Sequence, residues 1–158
     1  MRYLISVLFV SLLSVSTPAL ADDARIIVGA GSQLGVGSGE ASFRYIAPEP
    51  VVWDLHPAVG VSVAGNGSGW VGVGAALTLG PNAEGLFLRI TSMAGAYRQG
   101  NGRDLGGAIQ FRNALDIGYR WDNGVEAGIG ADHRSNAGLN TPNNGLNTVY
   151  AFASIPLK

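Results

Sequence analysis

Apolar and polar residues alternate along most of this chain with a period of two, the repeat of a β-strand whose two faces meet different surroundings. In the run from Val51 to Ala64, Val51, Trp53, Leu55, Pro57, Val59, Val61 and Val63 form one face, against Asp54, His56, Gly60 and Ser62 on the other. Val71, Val73, Ala75, Leu77 and Leu79 alternate with Trp70, Gly72, Gly74 and Thr78; Leu86, Leu88 and Ile90 alternate with Phe87, Arg89 and Thr91. The longest series is Phe111, Asn113, Leu115, Ile117, Tyr119 and Trp121, opposed by Gln110, Arg112, Asp116 and Arg120. Turn-forming clusters separate the runs: Ala47-Pro48-Glu49-Pro50, Gly65-Asn66-Gly67, Gly80-Pro81-Asn82, Gly100-Asn101-Gly102, Asp122-Asn123-Gly124 and Thr141-Pro142-Asn143-Asn144-Gly145. The pattern predicts eight strands, near 25–31, 35–46, 50–64, 69–79, 85–97, 106–121, 124–135 and 146–157. Several have the ~9–11 residues a tilted strand needs to cross a bilayer.

The fold class expected is therefore all-β, an eight-stranded antiparallel up-and-down membrane β-barrel. Alternation alone does not say which face is inside. Arg89, Arg112, Asp116, Arg120, Glu126 and Asp132 all lie opposite the apolar face, which suits a soluble barrel turned one way and a membrane barrel turned the other. The N-terminus favours the membrane form. Arg2, the apolar run Leu4 to Leu13 and the small-residue site Pro18-Ala19-Leu20-Ala21 make a secretory signal peptide over 1–21. The barrel domain then occupies 22–158.

Composition narrows the picture further. Glycine, at 24 of 158 residues, is roughly twice its usual ~7%, which disfavours helices and suits tightly curved sheets. Loss of Arg2 leaves nine basic side chains against eleven acidic ones, a formal charge of −2 that offers no basic surface for nucleic acid. There are no cysteines, hence neither disulfides nor a thiolate metal site. No metal and no other cofactor is expected. The glycine clusters at Gly29–Gly31 and Gly35–Gly39 lack the following helix and lysine of a phosphate loop, so barrel curvature accounts for them. Trp53, Trp70 and Trp121 are expected at the membrane interfaces or in the lumen, and His56, on the charged parity, in the lumen.

Candidate chemistry lies at His133-Arg134-Ser135-Asn136. His133 and Ser135 are two apart in a strand, so they share a face, with backbones ~6.6 Å apart along it. That suits a nucleophile and its general base. By itself an H-x-S pair is a weak signal, equally a polar strand end at the water interface. Parity makes it informative: Val125, Ala127, Ile129 and Ala131 lead into His133 and Ser135 on the apolar face, whereas Glu126 and Asp132 point the other way. A polar pair on the wall that meets lipid would suit an enzyme whose substrate is itself a lipid. Arg134 points away from Ser135, and only from the strand end would it reach a lipid phosphate.

His133-Arg134-Ser135-Asn136-Ala137-Gly138, followed by Thr141-Pro142-Asn143-Asn144-Gly145, resembles the signature of the lipid A 3-O-deacylase (PagL) family, and Phe111-Arg112-Asn113 to Tyr119 resembles the strand before it. The strong likeness runs from Phe111 to Phe152. It implies a Gram-negative cell outer-membrane barrel that hydrolyses the 3-O-linked acyl ester of lipid A in lipopolysaccharide, from a site on its outer wall. By the same resemblance Ser135 is the nucleophile, His133 its base, and Asn136 an oxyanion donor. The family's acidic third member corresponds here to Asn147, on the outward parity of Val149 and Ala151. A homodimer is compatible with such a barrel. Two other readings remain: a small structural outer-membrane barrel, weakly active or inactive because Asn147 is uncharged, and a soluble calyx for an apolar ligand.

Overall fold

The computed structural model describes residues 23–157; the signal peptide expected over 1–21 lies outside the described residues. Eight antiparallel strands follow one another around a closed barrel: β1 (Ala24–Gln33), β2 (Ser38–Ile46), β3 (His56–Ala64), β4 (Gly69–Leu79), β5 (Gly85–Arg98), β6 (Ile109–Arg120), β7 (Glu126–Ser135) and β8 (Leu146–Leu157). Each pairs with the next, and β8 pairs back onto β1 from Ala24↔Leu157 to Gln33↔Thr148. Closure leaves no unpaired sheet edge for lipid to meet.

The alternation placed the strands well and overran some of their starts. The third strand begins at His56 rather than near residue 50. Pro48 and Pro50 withdraw backbone donors from any ladder there. Val51 N and Leu55 O close a tight turn at 3.0 Å, and Trp53 adopts a φ of +49° at its tip. The alternating Val51, Trp53 and Leu55 thus belong to a turn. At the start of β6 the chain passes through the left-handed Gly106, at φ +79°, and the strand begins at Ile109 rather than near residue 106.

The charges are inside. Glu126 sits among Arg25 at 3.3 Å, Arg89 at 2.8 Å and Arg120 at 2.8 Å. Asp116 pairs with Arg44 at 2.8 Å and accepts the Tyr150 hydroxyl at 2.6 Å. Glu40 and Asp132 share Arg112 and Arg134. Val59, Val61, Val63, Val71, Val73, Leu86, Ile117 and Ile129 meanwhile face outward and are exposed. Alternation that would suit either a soluble or a membrane barrel is thus resolved to a charged lumen and an apolar wall, the polarity suited to lipid. Glycines on the inward parity make room for the lumen's aromatic rings. A Cβ on Gly72 would lie 2.4 Å from Trp70, and one on Gly130 would lie 2.5 Å from Tyr150.

A buried carboxylate among three guanidiniums is stable only as a complete set, because each charge is desolvated. Glu126→Gln leaves Arg25, Arg89 and Arg120 mutually repelling. It is expected to destabilise the barrel by about 3 kcal/mol or more. The check is a lower temperature for loss of the compact, fast-migrating band in heated detergent gels.

His56 is in the lumen as expected, with its Nδ1 2.9 Å from Ala47 O. The tryptophans divide. Trp70 is buried beneath Arg112, Trp121 packs edge-on against Tyr119 at the outer wall, and Trp53 stands exposed at its turn. Arg134, fully buried, binds Glu40 and Thr148, so it is a lumen residue and not a ligand for phosphate.

Candidate active site

Strand register, more than any loop, assembles the polar residues on the outer wall. Ser92 on β5 stands opposite Asn113 on β6, Asn113 opposite His133 on β7, and His133 opposite Asn147 on β8. All four lie on the outward parity, so one row crosses four strands at a single level. Two hydrogen bonds fasten it: Ser92 Oγ to Asn113 Oδ1 at 2.7 Å, and His133 Nδ1 to Asn147 Oδ1 at 2.7 Å. An amide oxygen only accepts, so the proton of this bond is carried by Nδ1, and in the neutral ring Nε2 then keeps its lone pair. That tautomer is the one a general base requires.

Ser135 follows on the same face as the last residue of β7, opposite Phe111. Among the described residues, no hydrogen bond joins its hydroxyl to His133. Such contacts are commonly loose in a free enzyme and tighten around substrate. Glu126 and Asp132 are spent on the lumen arginines, which leaves Asn147 as the partner of the imidazole.

Beyond Ser135 the chain turns sharply, with Ala137 at φ +51° and Gly138 at +82°. Asn136 is the anchor of that turn. It is fully buried, and its Nδ2 donates to Leu105 O at 2.9 Å, Asn140 O at 2.9 Å and Pro142 O at 3.0 Å, while its Oδ1 accepts the Gly138 N–H at 2.8 Å. The oxyanion role expected for Asn136 therefore does not suit its side chain: the carboxamide's donors are turned inward onto three carbonyls. A second carboxamide, which the sequence pattern did not single out, lies at the same turn. Exposed Asn143 accepts the Asn136 backbone N–H at 3.1 Å through Oδ1, and its own NH₂ group is left beside the end of β7.

The segment between β5 and β6 braces this turn from the side. Leu105 is buried, Arg103 Nη1 donates to Gly145 O at 3.1 Å, and Asn144 Nδ2 donates to Asp104 O at 3.1 Å. Gly145 has to remain small. A Cβ there would come within 2.9 Å of His133 Cε1, and its φ of +62° is left-handed. The sequence marked Gly145 as a turn residue, and only the fold shows that it also leaves space for the imidazole.

Below the row the wall is apolar. Ala131 follows His133 on the same face of β7, Val149 follows Asn147 on β8, and Leu115 follows Asn113 on β6. These residues, with Ile117, Ile129, Ala151 and Ala30, border an open groove of about 610 Å³. Among the described residues no cluster of histidine, cysteine or carboxylate side chains is arranged to hold a metal ion.

The chain is similar to known proteins in part of its sequence and in its fold. The chain is 36% identical over 55 residues to the lipid A deacylase PagL of Pseudomonas aeruginosa, a match covering 35% of this chain and 32% of that protein. The matched stretch thus spans about a third of the relative's length. The crystal structure of the outer membrane enzyme PagL resembles the barrel with a TM-score of 0.69 at 18% identity, over 84% of this chain and 99% of that one. A de novo designed transmembrane β-barrel is similar in fold alone, with a TM-score of 0.54 at 13% identity. The family model for lipid A 3-O-deacylase (PagL) matches residues 38–156, most of the barrel, and this chain belongs to that family.

Proposed function

We propose that this protein is an outer-membrane serine esterase that hydrolyses the 3-O-linked acyl chain of lipid A. One observation carries the reading: an imidazole held by Asn147 at 2.7 Å stands beside a serine on the lipid-facing wall, where a soluble substrate would have no reason to go. Family membership supplies the ester. Ser135 is the nucleophile, His133 the base that takes its proton through Nε2, and Asn147 the group that fixes the imidazole's tautomer. Attack by Oγ on the ester carbonyl gives a tetrahedral intermediate, for which the Asn143 carboxamide is the proposed oxyanion donor in place of Asn136. The imidazolium then protonates the departing sugar oxygen as the carbon–oxygen bond breaks. Water, deprotonated by the same imidazole, releases the fatty acid from Ser135.

The amide at position 147 motivates the second reading, a barrel that keeps the fold and has lost turnover. Covalent labelling separates the two. The purified protein in detergent is expected to react with a serine-directed fluorophosphonate at Ser135, and His133→Ala is expected to lose that labelling. Absence of labelling in the unsubstituted protein would favour the inactive barrel.

A further inference from the structure

Building on the esterase reading, we infer that Arg103 binds a phosphate of the lipid headgroup and so selects phosphorylated glycolipid for the site. Six of the eight arginines among the described residues are paired with lumen carboxylates. Arg134 is one of them, held on Glu40, so β7 gives the headgroup no cation. Arg98, at the end of β5, and Arg103, in the connection that follows, have no carboxylate partner among the described residues.

The connection from β5 to β6 crosses the end of the barrel. Asn101 N donates to Asn66 O at 2.9 Å in the β3–β4 turn, and Leu105 O accepts from Asn136 at 2.9 Å beyond β7. Between these two fastenings, Arg103 is carried to the ends of β1 and β8. Its Nη1 donates to Gly145 O at 3.1 Å, and its Nη2 lies 3.0 Å from where a Cβ on Gly35 would stand. Both neighbours adjoin the site. A Cβ on Gly145 would be 2.9 Å from His133 Cε1, and Leu34 N, one residue before Gly35, donates to Asn147 O at 2.8 Å. The guanidinium is thus one peptide group away from the imidazole, on the side toward the barrel's end.

This cation is half-buried and lacks a counter-charge. Asp104, next in the chain, spends its Oδ1 on the Gly106 N–H at 2.8 Å. One of the guanidinium's five N–H donors is used on Gly145, and the planar fork matches phosphate oxygens two at a time. Exposed charges on the described residues also divide by barrel end. Asp23, Glu49, Asp54, Glu84 and Asp122 lie at the end that holds the chain termini, whereas Arg98, Arg103 and Asp104 lie at the end that holds the site. A phosphorylated lipid is repelled by the first end and drawn to the second. Lipid A offers the matching group, because its phosphate monoesters and its acyl esters are borne by the same glucosamine disaccharide.

For the purified full-length barrel in detergent, the test is the ratio of kcat/KM on lipid A to that on the same lipid stripped of its phosphates. Arg103→Gln is expected to lower this ratio about 10- to 100-fold, mostly through KM. Arg98→Gln removes the same charge from the outer face of β5, opposite Gly69 of β4, and is expected to leave the ratio unchanged. Equal losses on both lipids in Arg103→Gln would make Arg103 a brace for Gly145 and nothing more. An equal fall of the ratio in Arg98→Gln would reduce the effect to overall charge. Either result overturns the inference.

A second measurement needs no turnover. The Ser135→Ala barrel is expected to hold lipid A with a Kd about tenfold or more below that for the dephosphorylated lipid. Adding Arg103→Gln is expected to erase that difference. Phosphatidylglycerol or inorganic phosphate at the same concentration is expected not to displace the bound lipid A. Displacement by phosphatidylglycerol would mean that Arg103 takes any lipid phosphate, and displacement by inorganic phosphate that it takes the free ion; both overturn the inference. If the unsubstituted protein hydrolyses neither lipid, the esterase reading fails, and the binding measurement alone decides whether Arg103 holds the phosphate.

Discussion

Ser135→Ala is expected to reduce release of 3-hydroxy fatty acid from lipopolysaccharide by a factor on the order of 10⁴ or more. His133→Ala is expected to cost about as much, and the double substitution little beyond either single one. The reason is that a serine hydroxyl is a poor nucleophile until a base takes its proton, so the two groups act as one unit. Residual hydrolysis would come from oxyanion stabilisation and binding alone. Neither side chain supports the fold: both lie on the outer wall, away from the lumen ion clusters, so the substituted barrels should keep their compact gel migration. The measurement is mass-spectrometric detection of the freed acid from purified protein in detergent. Release by Ser135→Ala equal to that of the unsubstituted protein would remove Ser135 from the mechanism.

Much of this arrangement was legible in the alternation. Once β7 is a strand, parity alone places Ser135 and His133 on the apolar wall and sends Glu126 and Asp132 into the lumen. Parity also puts Asn147 on the outer face of β8, but it takes the register to set it directly opposite His133. Two kinds of information were beyond the pattern. Where backbone donors are lost to prolines or diverted by left-handed glycines, alternation continues through residues that form turns, as at Val51 to Leu55. Carboxamide roles were equally hidden. Asn136 and Asn143 are both asparagines in polar, glycine-rich stretches, and only the fold shows one buried on three carbonyls and the other exposed. Asn113 carries a signal of its own, since it is a polar residue on the lipid parity between Phe111 and Leu115. The register places Asn113 beside His133.

Restoring a charge at position 147 is expected to have the second largest effect, in the opposite direction. Asn147→Asp changes the amide to a carboxylate of the same length, so the 2.7 Å contact to Nδ1 is kept. The imidazole becomes an imidazolium in the transition state, and a carboxylate stabilises that charge where an amide oxygen offers only a dipole. In a serine protease the reverse exchange costs ~10⁴ in turnover, much of it through the wrong histidine tautomer. Here the tautomer is already right, because Asn147 presents its oxygen, and the exposed pair lies at the headgroup region, whose polar groups weaken the field. The expected gain is therefore smaller, roughly 10- to 10³-fold in kcat with KM little changed. Asn147→Glu supplies the same charge with one more methylene and is expected to gain in the same direction. The barrel should tolerate either acid, since a carboxylate near the end of a strand meets the headgroup region and costs ~1 kcal/mol or less. Asn147→Ala removes both orientation and dipole and is expected to fall below the unsubstituted protein. If the aspartate, glutamate and alanine variants all turn over at the unsubstituted rate, His133 works without position 147, and the row of hydrogen-bonded side chains on the wall has no part in the chemistry.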